Sequence, residues 1–198
     1  MHLSKSNIKL IAGLGNPGKE YEGTRHNAGF EALDKLLAIL PGSFKRFEGF
    51  SSIYWKGRFK GQTLFIQKPM TYMNLSGKAV SAIMRRNNIT PEELLLIYDD
   101  VDLPPGRLRI KKDGGSAGHN GAESVIQEIG SSKFARLRIG IGRSSENGQI
   151  DHVLSEFSGD EKKLLDKVCA RSAEAAKLIL CRGVTDAMNE FNGELVEL

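Results

Sequence analysis

A short apolar run is followed at once by a glycine-rich turn and then by a helical pattern, and this succession constrains the fold more than any other feature. Ile8–Leu14 is predicted to form a buried strand. Asn27–Leu40 is predicted to form a helix, because apolar residues such as Phe30 and Leu33 recur at helical spacing. A strand end, an irregular loop and a helix N-terminus in one place are where α/β proteins carry out their chemistry.

The rest of the chain continues to alternate between strand and helix patterns. The patterns predict a hairpin of two β-like runs (Phe47–Trp55 and Phe59–Gln67), further strands (Leu94–Tyr98, Arg107–Lys111 and Leu137–Gly142) and further helices (from Asn74 or Ser76 to about Asn87, Ala122–Ile129, Asp160–Leu180 and Thr185–Asn192). Arg143–Gly148 is expected to be a polar, flexible loop. We therefore predict an α/β fold in which a single domain, residues 1–198, contains a twisted mixed central sheet with helices packed on both faces.

The turn after the first strand spells GxGxxG, the pattern of a dinucleotide-binding loop. Here Pro17 removes one amide donor from the phosphate cradle, and the residues KEYEGTR delay the helix. The acid expected about 20 residues further on would be Asp34, which lies inside a helical pattern. The sequence thus argues against a bound cofactor and leaves either a simple tight turn or a turn that presents Asn16.

His26 is a candidate general base, because an imidazole titrates near neutral pH. A catalytic base needs a partner that orients its other ring nitrogen. Asp99, Asp100 and Asp102 follow a buried strand, so we expect them at the same sheet edge as the loop that leads to His26. The alternatives are a structural histidine and a solvated turn, because Asp-Leu-Pro-Pro-Gly favours turns.

Three asparagines lie in glycine-containing loops: Asn16, Asn74 and Asn120. Each has a local explanation as a turn former or a helix cap. Together with His26 they would line a cleft with neutral hydrogen-bond donors and acceptors, which suits the binding of peptide backbone.

Gly114–Gly118 matches GxSxG, the nucleophile turn of serine hydrolases, with Ser116 as the nucleophile. The partners that this chemistry needs further along the chain would be Asp151 and His152, which are adjacent in sequence. The pattern is short and the loop is rich in glycine, so a serine esterase remains only an alternative.

Basic residues alternate along two predicted strands, which places them on one face of each: Arg107, Arg109 and Lys111 on one, Arg136 and Arg138 on the other. The alternatives are a solvated sheet face and a surface for nucleic-acid phosphates. With 28 Lys and Arg against 24 Asp and Glu, the formal net charge of +4 is compatible with a polyanionic partner but does not establish one.

The two cysteines, Cys169 and Cys181, lie in one predicted helix. Their separation along it would be roughly 18 Å, too far for a disulfide. Reduced thiols favour a cytosolic protein. No apolar run approaches the roughly 18 residues that a membrane span needs, and no signal peptide is recognisable.

Several long motifs, in order, resemble bacterial-type peptidyl-tRNA hydrolase: GLGNPGKEYEGTRHNAGF, KPMTYMNLSGKAV, YDDVDLPPGRLRIK, GHNG and FARLRIGIGR. The resemblance covers nearly the whole chain. It implies hydrolysis of the ester between a peptide and the terminal ribose of tRNA, which recycles tRNA from stalled translation. It also implies a monomer with peptidyl-tRNA as its partner. We expect a cytoplasmic protein from the reduced thiols, and no metal or other cofactor, because the His and Cys residues show no ligand spacing.

The resemblance also implies roles for individual residues. His26 aligns with the catalytic base, Asp99 with the carboxylate that stabilises it, and Asn16 with the residue that discriminates blocked from free aminoacyl ends. The substrate-contacting positions are occupied by Tyr21, Tyr72, Asn74 and Asn120, and the positions tied to tRNA phosphates by Lys111 and Arg138. Tyr72 and Asp100 depart from the Phe and Glu that are common in the family.

Three questions stay open at this level. Asn16 or Asn74 could hold the attacking water or stabilise the oxyanion. The physical basis of the preference for blocked amines is not evident. A nucleic-acid-binding module without activity remains an alternative of another class.

Overall fold

The structure is a computed structural model that describes residues 6–143 and 159–198. Its strands are β1 (Leu10–Gly13), β2 (Phe44–Gly49), β3 (Ser52–Phe59), β4 (Gln62–Pro69), β5 (Leu94–Asp100), β6 (Leu108–Lys111) and β7 (Ala135–Gly140). They form one seven-stranded sheet in the order β2-β3-β4-β1-β5-β7-β6. The four central strands run parallel, and the pairs at both edges are antiparallel.

The helices are α1 (Ala28–Ile39), α2 (Ser76–Arg86), α3 (Asn120–Ile129), α4 (Gly159–Arg182) and α5 (Val184–Phe191). One hydrophobic core joins α1, α4 and α5 to one face of the sheet, and a second core joins α2 and α3 to the other. The predicted α/β fold, with a mixed sheet and helices on both faces, is confirmed. No helix in the described ranges is long and apolar enough to span a bilayer.

Strands β1 and β5 lie side by side at the centre of the sheet and are buried throughout. Their apolar side chains alternate between the two cores: Ile11, Leu95 and Ile97 face one, while Leu10 and Leu96 face the other. A parallel strand that is covered on both faces reads as a nearly continuous apolar run, which explains why both strands could be predicted.

Helix α1 approaches β1 closely because two glycines face each other. A Cβ added at Gly13 would lie 2.4 Å from the carbonyl oxygen of Gly29. One added at Gly29 would lie 2.4 Å from the Leu14 oxygen and 2.6 Å from the Ile97 oxygen. These are backbone atoms that cannot rotate away, so the start of α1 is held directly against the end of β1 and the middle of β5.

The predicted hairpin is wrong, because residues 44–69 form a three-stranded antiparallel unit. The predicted run Phe47–Trp55 contains a two-residue turn at Phe50 and Ser51, whose φ angles are 54° and 49°. Positive φ at both positions is the hairpin geometry that normally selects Asn-Gly or Asp-Gly. Phe-Ser carries no such signal, so the turn was hidden within an apolar run.

The two cysteines both lie in α4 and are free thiols. The Cys169 thiol is fully buried and donates to the carbonyl oxygen of Ala28 over 3.7 Å, at the first residue of α1. Burial raises the pKa of the Cys169 thiol well above its ordinary value. Of the predicted loop Arg143–Gly148, residues 144–148 lie outside the described residues.

Candidate active site

The predicted catalytic residues meet at the carboxyl edge of the central strands. His26 lies in a 3₁₀ turn, Arg25–Asn27, immediately before α1. Asp99 lies near the end of β5, which neighbours β1 in parallel. Because the carboxyl ends of parallel neighbours open at one edge, the chain brings these two residues together from distant parts of the sequence.

His26 and Asp99 are in direct contact. The Nδ1 atom of His26 lies 2.8 Å from Oδ1 of Asp99, which is 1% exposed. A buried carboxylate only accepts hydrogen bonds, so His26 donates through Nδ1. The Nε2 atom of the neutral ring is then left as an acceptor, and His26 is among the residues that line a cavity of about 210 Å³.

A second histidine, which the sequence did not indicate as functional, binds the same carboxylate oxygen. His119 Nε2 lies 2.9 Å from Asp99 Oδ1, and the side chain of His119 is 7% exposed. Its Nδ1 accepts from the backbone N–H of Ala122 over 3.1 Å and so caps α3. The cap leaves Nε2 as the nitrogen that donates to Asp99.

The environment of Asp99 keeps it ionised. Burial alone would raise the pKa of this carboxyl, but its interactions with His119 and His26 outweigh burial and hold the pKa well below its usual range. Asp99 is therefore a fixed negative charge, suited to holding an imidazole in one tautomer.

The glycine-rich turn after β1 fixes the orientation of the Asn16 side chain. Asn16 Oδ1 accepts from the backbone N–H of Met73 over 2.8 Å. Its backbone N–H donates to Asn27 Oδ1 over 2.7 Å, and Asn27 Nδ2 donates to the Asn16 carbonyl over 3.2 Å. Within the described part of the chain no hydrogen bond engages Asn16 Nδ2. The group that Asn16 can offer to a ligand is thus a donor.

The other predicted substrate-contacting residues lie on loops and helix starts near this edge. Asn74 is exposed in the 3₁₀ turn that precedes α2, and Tyr72, beside it, is 62% exposed. Asn120 is the first residue of α3 and lines the cavity with His26 and Asp99. Tyr21 is half-buried at the end of the 3₁₀ turn Lys19–Tyr21.

The geometry does not support Ser116 as a nucleophile paired with His119. Ser116 lines the cavity near His119. Both ring nitrogens of His119 are already engaged, one by Asp99 and one by Ala122, so this ring cannot accept a proton from Ser116. The partners first considered, Asp151 and His152, lie outside the described residues.

The basic residues of β6 and β7 lie on one sheet face, but those of β7 are not solvated. Arg136 is 1% exposed and donates to the carbonyls of Ser132 and Phe134. Arg138 is 9% exposed and forms an ion pair with Asp100. The expectation of a solvated or phosphate-facing stripe is wrong for Arg136, because its guanidinium is buried over the Phe134 ring and bonded to backbone carbonyls. Lys111 is exposed on β6, and Arg138 lines the cavity.

His26, Asp99 and His119 are also the one set in the described ranges whose ligand atoms, all within 4.8 Å of one another, could hold a metal ion. The 2.8 and 2.9 Å contacts are those of direct hydrogen bonds. An ion with nitrogen ligands at about 2.1 Å would have to displace both shared protons. The arrangement fits an oriented acid–base group better than a metal centre.

Comparison with known proteins shows which family the chain resembles over its length. The family model described as peptidyl-tRNA hydrolase matches residues 10–197. Peptidyl-tRNA hydrolase of Caldanaerobacter subterraneus subsp. tengcongensis is 46% identical over 93% of this chain and 99% of its own length. That of Dehalococcoides mccartyi is 44% identical over 93% of this chain and all of its own length.

Solved structures give the same result. The crystal structure of peptidyl-tRNA hydrolase from Acinetobacter baumannii superposes with a TM-score of 0.88, at 38% identity, over 98% of each chain. The resemblance in the sequence motifs is thereby confirmed across strands, helices and loops. The chain belongs to the peptidyl-tRNA hydrolase family.

Proposed function

We propose that this protein hydrolyses the ester bond between tRNA and a peptide, or an N-blocked amino acid, and so recycles tRNA from peptidyl-tRNA that the ribosome released prematurely. The observation that carries the proposal is the buried contact between His26 and Asp99 at the edge where the sheet opens into a cavity. Family membership supports the substrate.

In the proposed mechanism, neutral His26 removes a proton from water through Nε2 as the water attacks the ester carbonyl. Asp99 accepts from Nδ1 and stabilises the imidazolium that forms. A positioned base of this kind contributes roughly 10²–10⁴-fold to the rate. As the ester bond breaks, the imidazolium gives this proton to the ribose oxygen, so the tRNA leaves with its terminal hydroxyl restored and the peptide leaves as a carboxylate.

Asn16 is proposed to bind the blocked end of the substrate. Its oxygen is occupied by Met73, so only its N–H group can face a ligand. The carbonyl oxygen of an amide accepts from that donor, whereas a free ammonium group offers only donors. The preference for blocked amines would follow from the direction of one hydrogen bond. Of the two asparagines considered for holding the attacking water or the oxyanion, Asn74 is then the one that we propose.

The remaining contacts are proposed by position. Asn120 and Asn74 would bind peptide backbone, Tyr21 and Tyr72 would contact the substrate near the ester, and Lys111 would approach a tRNA phosphate. Arg138 is paired with Asp100, so its proposed contact with a phosphate would have to share the guanidinium with that carboxylate. We propose that the protein acts as a monomer in the cytoplasm without a cofactor.

The test is hydrolysis of N-acetyl-aminoacyl-tRNA compared with the same aminoacyl-tRNA without the acetyl group. We expect the blocked substrate to be cleaved and the free one to be spared. Equal rates would contradict the role of Asn16, and no hydrolysis of either would favour a binding module. Full activity of Ser116→Ala would exclude the serine esterase, and its complete inactivity would support it.

A further inference from the structure

We propose that His119 is a positioning residue: by donating to the same oxygen of Asp99 as His26 does, it limits how strongly that carboxylate stabilises protonated His26. The hydrogen bond from His119 thereby sets the pH below which His26 is protonated and can no longer act as a base. The inference rests on the proposed role of His26 as general base. It assigns a role in the reaction to His119, which otherwise serves only to cap helix α3.

The first step is the shared acceptor. His26 Nδ1 and His119 Nε2 lie 2.8 and 2.9 Å from one atom, Asp99 Oδ1. The two rings meet edge to face, with centroids 5.1 Å apart. A carboxylate oxygen that accepts two hydrogen bonds donates less electron density to each, so every donor weakens the other's bond.

The second step is the tautomer of His119. Its Nδ1 accepts from the Ala122 N–H at the start of α3. This bond requires an unprotonated Nδ1, so His119 meets Asp99 as a neutral donor. A neutral donor reduces the pull of the carboxylate on protonated His26 without adding a like charge beside it.

The third step is the effect on the base. A hydrogen bond to a charged group is among the strongest in proteins. If His119 stops donating, Asp99 retains its full affinity for the imidazolium of His26. The base then becomes protonated at a higher pH, and activity declines earlier on the acid side.

Other charged and titratable groups surround His26, Asp99 and His119, and the substitutions proposed below leave all of them in place. Tyr98 packs on His119 with ring centroids 4.7 Å apart, and Asp100 and Arg138 pair along the same cavity. The others nearby are Arg136 on β7 and the Arg25–Glu161 pair next to His26. Because none is altered, a shift in the pH profile can be assigned to residue 119.

Two substitutions separate the cap from the contact with Asp99. In His119→Asn the amide oxygen can still cap Ala122, since Asn is a preferred cap, but its nitrogen falls short of Asp99. In His119→Gln the longer amide can still donate to Asp99. The measurement is kcat against pH for hydrolysis of N-acetyl-aminoacyl-tRNA, with thermal unfolding of each variant.

For His119→Asn we expect the acid limb to move up by about one pH unit, which is roughly a tenfold loss on that limb, with kcat within about threefold of wild type on the alkaline plateau. His119→Gln should restore the wild-type limb. A loss that is uniform over pH, or an unchanged profile in His119→Asn, would overturn the inference. If wild type were inactive, or His26→Ala active, the proposed function would fail instead.

A measurement on the unaltered chain covers the case in which the variants do not fold. Nitrogen-15 correlation spectra of the histidine rings report which nitrogen carries the proton. We expect His119 to be protonated at Nε2 and not at Nδ1 throughout the active pH range. Protonation at Nδ1 in that range would overturn the inference.

Discussion

The Nδ1 atom of His26 lies 2.8 Å from Oδ1 of Asp99, across 73 positions of sequence. One residue precedes the first helix and the other lies near the end of a central strand, so the contact exists only when β1 and β5 are correctly paired. The proposed chemistry is thus assembled by the sheet and not by any single loop.

Removing the base should separate catalysis from binding. For His26→Ala we expect kcat to fall by roughly 10²–10⁴-fold, the contribution of a positioned base. The Kd for tRNA should stay nearly unchanged, because His26 is buried at the sheet edge and presents little surface to a phosphate. Single-turnover hydrolysis and a filter-binding assay measure the two quantities. Retained turnover would contradict the assignment.

Selectivity should respond to the direction of the Asn16 hydrogen bond. In Asn16→Asp one oxygen can still accept from Met73, while the other presents a negative acceptor where a donor stood. We expect the ratio of kcat/KM for blocked over free aminoacyl-tRNA to fall by about tenfold or more, the value of one hydrogen bond to a charged group. An unchanged ratio would exclude this explanation of selectivity.

Exposed basic residues should contribute through phosphate contacts. Lys111→Ala should raise KM, leave kcat nearly unchanged and reduce the salt slope of tRNA binding by about one. Lys163→Ala is the matched control, because Lys163 is an exposed lysine on α4, across the sheet from the face of Lys111. Equal effects of the two changes would argue against a specific tRNA surface on β6.

The contact between α1 and the central strands should not tolerate a methyl group. Helix propensity alone would make Gly29→Ala favourable by about 1 kcal/mol. The added Cβ would meet two backbone oxygens at 2.4 and 2.6 Å, so we expect destabilisation by about 1–3 kcal/mol or more, together with reduced kcat. Gly193→Ala, where a Cβ meets nothing within 4 Å, is the control. Urea denaturation measures the free energy of unfolding of both variants, and equal values for Gly29→Ala and Gly193→Ala would contradict the steric argument.

The sequence could predict the elements whose pattern is local. The apolar runs at β1 and β5 predicted adjacent buried strands, and the carboxyl-edge rule then placed Asp99 near His26. The β2–β3 turn was missed because Phe50 and Ser51 adopt positive φ without the residues that favour it. Alternation placed Arg136 and Arg138 on one face, but only the packing of the whole chain decides that these two side chains are buried.

His119 was missed for a similar reason. It stands just before a helix in a loop of Gly and Asn, where the neighbouring Asn120 was interpreted as the functional residue. Nothing local indicates that one ring nitrogen caps α3 while the other reaches a carboxylate 20 positions earlier. A histidine at a capping position, where Ser, Thr, Asp and Asn are preferred, is the signal that could have singled it out.

The reactivity of the buried thiol of Cys169 can measure how often the structure opens locally beside the proposed base, His26. It lies in α4 and donates to Ala28, two positions after His26. A reagent can reach it only when α1 and α4 separate, and only as the thiolate does it react. Cys181, which is partly exposed on the same helix, gives an internal reference. The ratio of the two alkylation rates would therefore report how often this region opens, and whether bound substrate slows that opening.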